Sequence, residues 1–255
     1  MIHSKNIMDT RIDVFLTEYL LLSNNANYSI STYPLNDYIL TSLLLKMTGT
    51  LEQKIDNILW EIGTEFPDVR YNIIHGSKRL SSSSEAINNV YSIQNDVIEK
   101  IKNEKDTKDI WKRKEEFIKT CFNIYKMFSK AKFLSVNNIA FKEFKRTFMT
   151  MYMYDFFKQK KEKNNHMASW YGKYMENAGK KKNELDIKKI YENVIKIRNE
   201  KAHNVVHHPY FPSLDVLSHK NKSNFFINVS VLVFIDNVFT EKRSIYNSAV
   251  SRYVL

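Results

Sequence analysis

Turn-forming residues are scarce in this chain. Its 255 residues include 5 Gly and 4 Pro, whereas sheets and barrels spend many of both on their frequent reversals. What remains are long segments whose apolar residues recur at three- and four-residue spacing, the period of a helix buried along one face. The sequence therefore predicts an all-α fold, an antiparallel helical bundle of about six to eight helices.

The first helix is expected from Asp9 to Leu22, with Ile12, Phe15, Leu16, Tyr19 and Leu20 on one stripe. After a polar connection, Asn24 to Pro34, a second run extends from about Asn36 to Ile62, with Gly49 as a soft point. Leu51, Ile55, Ile58, Leu59 and Ile62 face inward in this reading, leaving Glu52, Lys54 and Asp56 outward or toward a partner. Gly63 to Ser84 breaks the pattern with Pro67, Gly76 and a serine run whose last member, Ser84, is placed to cap a helix over Glu85–Lys102. Two further helices are expected at Asp109–Phe133 and Asn138–Lys163. In the second, Phe141, Phe144, Phe148, Tyr152, Phe156 and Phe157 form a core stripe.

A polar segment with Gly172, Gly179 and Lys180-Lys181-Lys182 then precedes a helix from Leu185 to about Asn204. Ile187, Ile190, Val194 and Ile197 point inward in it, and Pro209 and Pro212 end it at the latest. Phe225 to Phe239 is the longest apolar stretch, but Asn228, Ser230, Asp236 and Asn237 interrupt it. It is too short and polar to span a bilayer and reads as a buried helix or strand. The expected organisation is an N-terminal helical segment, 1–35, and a helical domain, 36–255, in one compact unit.

The 39 basic and 28 acidic residues leave a net charge of +11. Such an excess attracts phosphate backbones or anionic membranes before any specific contact forms, making nucleic acid an expected partner. Lys180, Lys181, Lys182 and Lys201 are candidate phosphate contacts, against the plainer reading of a solvated charged face. The single cysteine, Cys121, precludes an intramolecular disulfide and fits a reducing compartment. Between Phe117 and Tyr125 on an apolar face, it reads as core. Met1 to Arg11 is polar and contains Asp9, unlike a signal peptide, so a cytoplasmic location and no membrane association are expected.

Chemistry concentrates in Arg198-Asn199-Glu200-Lys201-Ala202-His203. Imidazole can take the proton of a ribose 2′-hydroxyl or give one to the leaving oxygen. Guanidinium can hold the phosphate and offset the charge that builds in the transition state. On an ideal helix Arg198 and His203 point about 140° apart, so two copies meeting at a two-fold axis would build one cleft more readily than one copy alone. Asn199 shares a face with His203, four residues on, where it could orient the imidazole or the phosphate. Ala202 is small enough for a neighbouring helix to approach.

This stretch resembles the HEPN superfamily of helical nucleotide-binding domains and ribonucleases, marked by an Arg, four to six residues and a His, often with Asn after the Arg. The resemblance rests on Arg198, Asn199, Ala202 and His203 in a helical setting. It implies a homodimeric, metal-independent endoribonuclease without a cofactor, serving phage defence or a toxin–antitoxin pair, with an antitoxin or defence protein as partner. It also implies an acidic residue on the first bundle helix supporting the Arg, by position Glu52. One HEPN group carries, two residues after the His, a Tyr modified by its antitoxin; Val205 stands there, so that regulation is not expected.

The spacing recurs at Arg70 and His75, with Tyr71 after the Arg and apolar residues before the His. This copy reads as coincidence; otherwise one chain would hold both halves of a composite site. His203, His207 and His208 lack the adjacent Glu or paired Cys of a zinc site, so no metal is expected. No glycine-rich phosphate loop is present. From a different functional class, the alternative is a non-catalytic basic helical module that binds RNA or protein.

Overall fold

The computed structural model describes residues 8, 10–25, 33–68, 83–102, 109–130, 139–161, 170–204 and 224–253. Its elements are α1 (Asp13–Asn25), α2 (Tyr33–Glu65), α3 (Ser84–Lys102), a 3-10 turn (Ile110–Lys112), α4 (Lys114–Phe128), α5 (Ile139–Lys161), α6 (Trp170–Glu184), α7 (Ile187–Asn204) and α8 (Phe225–Tyr253). No strand occurs among the described residues, and the fold is an all-α bundle.

The apolar run that begins at Phe225 is a helix, and the bundle is assembled around it. From Phe225 to Phe239 every residue of α8 except Ile227 and Asn237 is buried, as expected of a helix apolar on all sides. It packs against α2, α3, α4, α5 and α7. Two polar residues have local partners: Ser230 Oγ donates to the Phe226 carbonyl at 2.6 Å, and Asn224 caps the helix by accepting from Phe226 N at 3.0 Å. Phe117 meets Phe148 and Phe234 edge-on, with centroids 5.8 and 5.6 Å away. Ile12, Leu16, Tyr19 and Leu20 of the N-terminal segment enter the same buried cluster.

Of the two settings expected for Lys54, outward or toward a partner, the structure shows the second, with the partner inside the chain. The Lys54 side chain is 6% exposed and its Nζ lies 2.6 Å from Asp236 Oδ1, itself on a side chain 3% exposed. Asp236 Oδ2 accepts from the Ile12 backbone N–H at 3.0 Å, so one carboxylate joins α8, α2 and the entry to α1. Asp56 is exposed as expected, while Glu52 is half-buried.

Boundaries differ in several places, and α1 runs to Asn25, past the expected Leu22. α2 begins at Tyr33, with Pro34 in the first turn where its missing N–H costs no bond, and it passes Gly49 unbroken to Glu65. Ser83 provides the serine cap of α3, accepting from Ala86 N at 3.2 Å. Ser84 is buried and donates to Glu192 Oε1 at 2.7 Å. The expected helix from Asp109 is divided: Asp109 caps the 3-10 turn, accepting from Trp111 N, and α4 starts at Lys114.

The polar segment around Lys180 is instead helix α6. Lys182 Nζ lies 2.5 Å from Asp155 and 3.3 Å from Glu115, tying α6 to α5 and α4. A Cβ on Gly179 would come within 3.2 Å of the Tyr154 ring, so glycine permits this close approach. On α5 the aromatic stripe is core at Phe144 and Phe148, and Phe141 and Tyr152 stack on Tyr125 and Phe122. It has left the core by Phe156, 43% exposed; the Phe157 side chain lies outside the described residues.

The buried pair generates a stability prediction. Lys54→Met leaves Asp236 as an unpaired buried carboxylate and is expected to lower unfolding stability by about 3–5 kcal/mol. Adding Asp236→Asn, which keeps an acceptor for Ile12 N, should restore much of the loss. Urea unfolding of both variants checks this; an unchanged midpoint for Lys54→Met would refute it.

Candidate functional site

α7 starts at a built cap: Asp186 Oδ1 accepts from Lys189 N at 3.0 Å. Ile187, Tyr191 and Val194 are buried, and Ile190 and Ile197 pack half-buried against the core. The helix continues to Asn204, so the backbone still carries Arg198 and His203 about 140° apart.

Arg198 turns toward α2. Its guanidinium is ion-paired with Glu52 Oε2, and NH1 donates to Asn199 Oδ1 at 2.9 Å. The Arg198 and Glu52 side chains are 27% and 25% exposed, so the pair is half-buried. The second Glu52 oxygen, Oε1, is buried with no hydrogen-bond partner among the described residues. Arginine has five N–H donors, so N–H groups beyond those engaged by Glu52 and Asn199 remain for a phosphate.

Three of the expected residues, Arg198, Asn199 and Glu52, thus meet. Asn199, Glu200 and Ala202 are exposed at the helix end, so no helix among those described covers Ala202. The His203 and Lys201 backbones lie in α7, but their side chains are outside the described residues, as are Arg70, His75, Val205, His207 and His208 altogether.

Tyr191 joins this group without having been singled out from the sequence. It is two turns before Arg198 on the same face of α7, and that seven-residue spacing was the available signal. Its ring lies 5.6 Å from that of Trp111. Burial pushes its phenol well above the ordinary tyrosine value, the Glu52 charge adds to this, and the Arg198 charge opposes it.

The lysine run is partly engaged. Lys180 pairs with Glu176 at 2.9 Å and Lys182 with Asp155, while Lys181 is exposed. Cys121 is buried, its thiol pushed up by burial. Among the described residues no group of three or more His, Cys, Asp or Glu could hold a metal ion, and no helix is long and apolar enough to cross a membrane. In comparisons with known proteins, no family model, curated protein or solved structure matches the chain.

Tyr191 has a counterpart in Tyr246, whose phenol burial also raises and whose hydroxyl donates to Glu65. Both favour the neutral phenol in the folded chain, which keeps its proton where the unfolded chain has lost it. Their contribution is complete below the ordinary value of 10.0 and falls as pH rises above it. Tyr191→Phe and Tyr246→Phe should each make the alkaline decline in urea midpoint shallower than in wild type; parallel declines would contradict the assignment.

Proposed function

We propose that this chain is a metal-independent endoribonuclease of HEPN type, acting in phage defence or a toxin–antitoxin system. Arg198 and His203 from two protomers form a composite site. The observation that carries this reading is the Arg198–Glu52–Asn199 cluster. The carboxylate chosen by position from the resemblance is the one that meets the guanidinium, and it holds that group on α7 beside the exposed helix end.

In this mechanism the His203 imidazole removes the 2′-hydroxyl proton, and the freed oxygen attacks the adjacent phosphorus. The bond from phosphorus to the 5′ oxygen breaks, and the partner subunit's His203, in its protonated form, returns a proton to that oxygen. The products are a 2′,3′-cyclic phosphate and a 5′-hydroxyl. Arg198 holds the non-bridging oxygens as their charge grows. Glu52 sets the plane of the guanidinium, and Asn199 steadies it. Ala202, small and exposed, lets two helix ends approach.

One observation favours the second reading, a non-catalytic basic module for RNA or protein. The Arg198 charge is already balanced by Glu52, as it would be in a purely structural ion pair. Purified protein incubated with total RNA in EDTA separates the two.

His203→Ala and Arg198→Ala are each expected to lower cleavage by about two orders of magnitude or more. Arg198→Lys should also fail, because an ammonium cannot make the bidentate phosphate contact. His75→Ala should remain active, and DNA, lacking the 2′-hydroxyl, should not be cut. His203→Ala cutting like wild type would end the ribonuclease reading; binding without cutting by every preparation would favour the module.

RNA affinity should fall by one to several decades between about 50 and 200 mM salt. Because Lys180 and Lys182 are in ion pairs, replacing Lys180, Lys181 and Lys182 together by Ala should reduce the slope of log affinity against log salt by about one unit, not three. A three-unit loss would make the whole run a phosphate track.

A further inference from the structure

The surface between α4 and α5 carries a run of stacked aromatic rings. Tyr152 lies face to face on Phe122, with centroids 4.0 Å apart and planes 9° from parallel. Phe122 is followed by Tyr125 at 6.4 Å and Tyr125 by Phe141 at 5.5 Å, both stacked. All four rings are half-buried. Phe141 anchors the run to the core through Phe226, 5.1 Å away, so the bundle holds the rings in place. Phe156, four residues after Tyr152 on the same stripe, is 43% exposed.

Cations border the rings. Lys126 Nζ lies 4.5 Å from the Phe122 centroid, and Lys145 Nζ 5.7 Å from that of Tyr125. Both lysines are exposed, so the ring surfaces beneath them border solvent and not core. Lys119 and Lys130 continue the Lys126 face at seven- and four-residue spacing, and Lys142 precedes Lys145 by about one turn; all three are exposed. None of the five forms an ion pair with the described residues. Acidic side chains are turned away or already used. After its first turn α4 has none, and Glu143 of α5 lines the groove toward α7. Glu115 and Asp155 pair with Lys182, and Glu116 with Arg113. This face is therefore cationic without local compensation.

Flat rings and uncompensated ammonium groups together suit unpaired nucleotides, whose bases stack on rings irrespective of sequence while lysines meet the phosphates. A cation over an exposed ring is a weak contact, so an arriving base can displace the ammonium from the ring to a phosphate. Phe122 and Tyr125 are 6.4 Å apart, wider than the about 3.4 Å between bases along a duplex strand. Successive bases on them must come from a strand that is not stacked on itself. A lipid surface fits less well. Membrane-bound helices sink an apolar face below the headgroups, whereas four of these rings lie half-buried and flat against one another. Among the described residues of α4 and α5, Phe156 is the only exposed large apolar side chain.

We propose that the α4–α5 face binds an unpaired polynucleotide strand, stacking its bases on Phe122 and Tyr125 and pairing its phosphates with Lys119, Lys126 and Lys145. The strand need not be cut there, so this site stands apart from the Arg198–Glu52 cluster on α7 and α2. Fluorescence anisotropy of the full chain tests it with three labelled strands of equal length: oligothymidylate, 2′-O-methyl oligouridylate, which resists cleavage, and an abasic strand. Both base-bearing strands should bind about ten-fold or more tightly than the abasic one, and the tighter of the two identifies the sugar. Phe122→Leu and Tyr125→Leu should each remove most of that difference and leave the salt dependence unchanged. Lys119→Gln, Lys126→Gln and Lys145→Gln combined should reduce the slope of log affinity against log salt by about two units. Should the ring variants not fold, Lys126→Glu with Lys145→Glu, both at exposed positions, puts carboxylates over the same rings and should remove the base preference.

Equal binding of base-bearing and abasic strands by wild type overturns the proposal, as does a base preference that survives both the ring and the glutamate variants. An unchanged salt slope in the triple lysine variant does so too. Vesicles of phosphatidylcholine and phosphatidylserine are the control for a membrane face. Vesicle binding that depends on the three lysines, with no base preference for either strand, would make this a lipid surface instead.

Discussion

The arrangement of the helices depends on the ion pair between Lys54 and Asp236. Both side chains are almost wholly withdrawn from water, and such charges are tolerated only when their partners are present with good geometry. Asp236 meets that condition with both oxygens, one on Lys54 and one on the Ile12 N–H. Apolar side chains along α2 and α8 tolerate small sliding and rotation. A carboxylate with two directed bonds does not, so the pair fixes how α2 lies against α8 and where the chain enters α1. Farther along, Arg243 reinforces the same seam with two hydrogen bonds to Glu61, at 3.0 and 2.7 Å.

The geometry of the candidate site follows from that constraint. Glu52 precedes Lys54 by two residues, a rotation of about 200° on a helix. With Lys54 turned into the seam with α8, Glu52 must face the other way, toward α7. There it meets Arg198, while Tyr191, two turns earlier on α7, is buried within the influence of both charges. Position and orientation of the guanidinium are thus inherited from the core, which is the economical way to hold a charged group in fixed geometry.

Much of this was legible in the sequence, for reasons that differ between elements. The periods that define α2, α3 and α7 were clear because one face of each is apolar and the other solvated. For Lys54 the local pattern leaves solvent and a partner both open, because the carboxylate that decides between them lies 182 positions away in the chain. Helix α6 was missed because its composition is polar; it is held by Lys182 to Asp155 and Glu115 and by Tyr154 against Gly179, contacts that leave no apolar period. The serine cap was displaced by one residue because Ser84 is used to reach Glu192. Of the candidate site, Arg198, Asn199 and Glu52 were named in advance. Tyr191 was not, since a buried tyrosine on a core stripe resembles any other until the charges beside it are known.

Charge bears on how two such chains could meet in the proposed composite site. Each protomer carries a net +11, and like charges of that size resist close approach unless screened or neutralised. The exposed end of α7 is small and polar at Asn199, Glu200 and Ala202, so it offers little apolar area to offset the repulsion. An RNA strand between the helix ends would supply the missing anions and favour the paired state it occupies, by the linkage that couples any ligand to the form it binds. Salt then acts in opposite directions, easing contact between protein copies while weakening the grip on RNA. A composite site built this way would be assembled most completely at low salt with substrate present, making the substrate part of what holds the active form together.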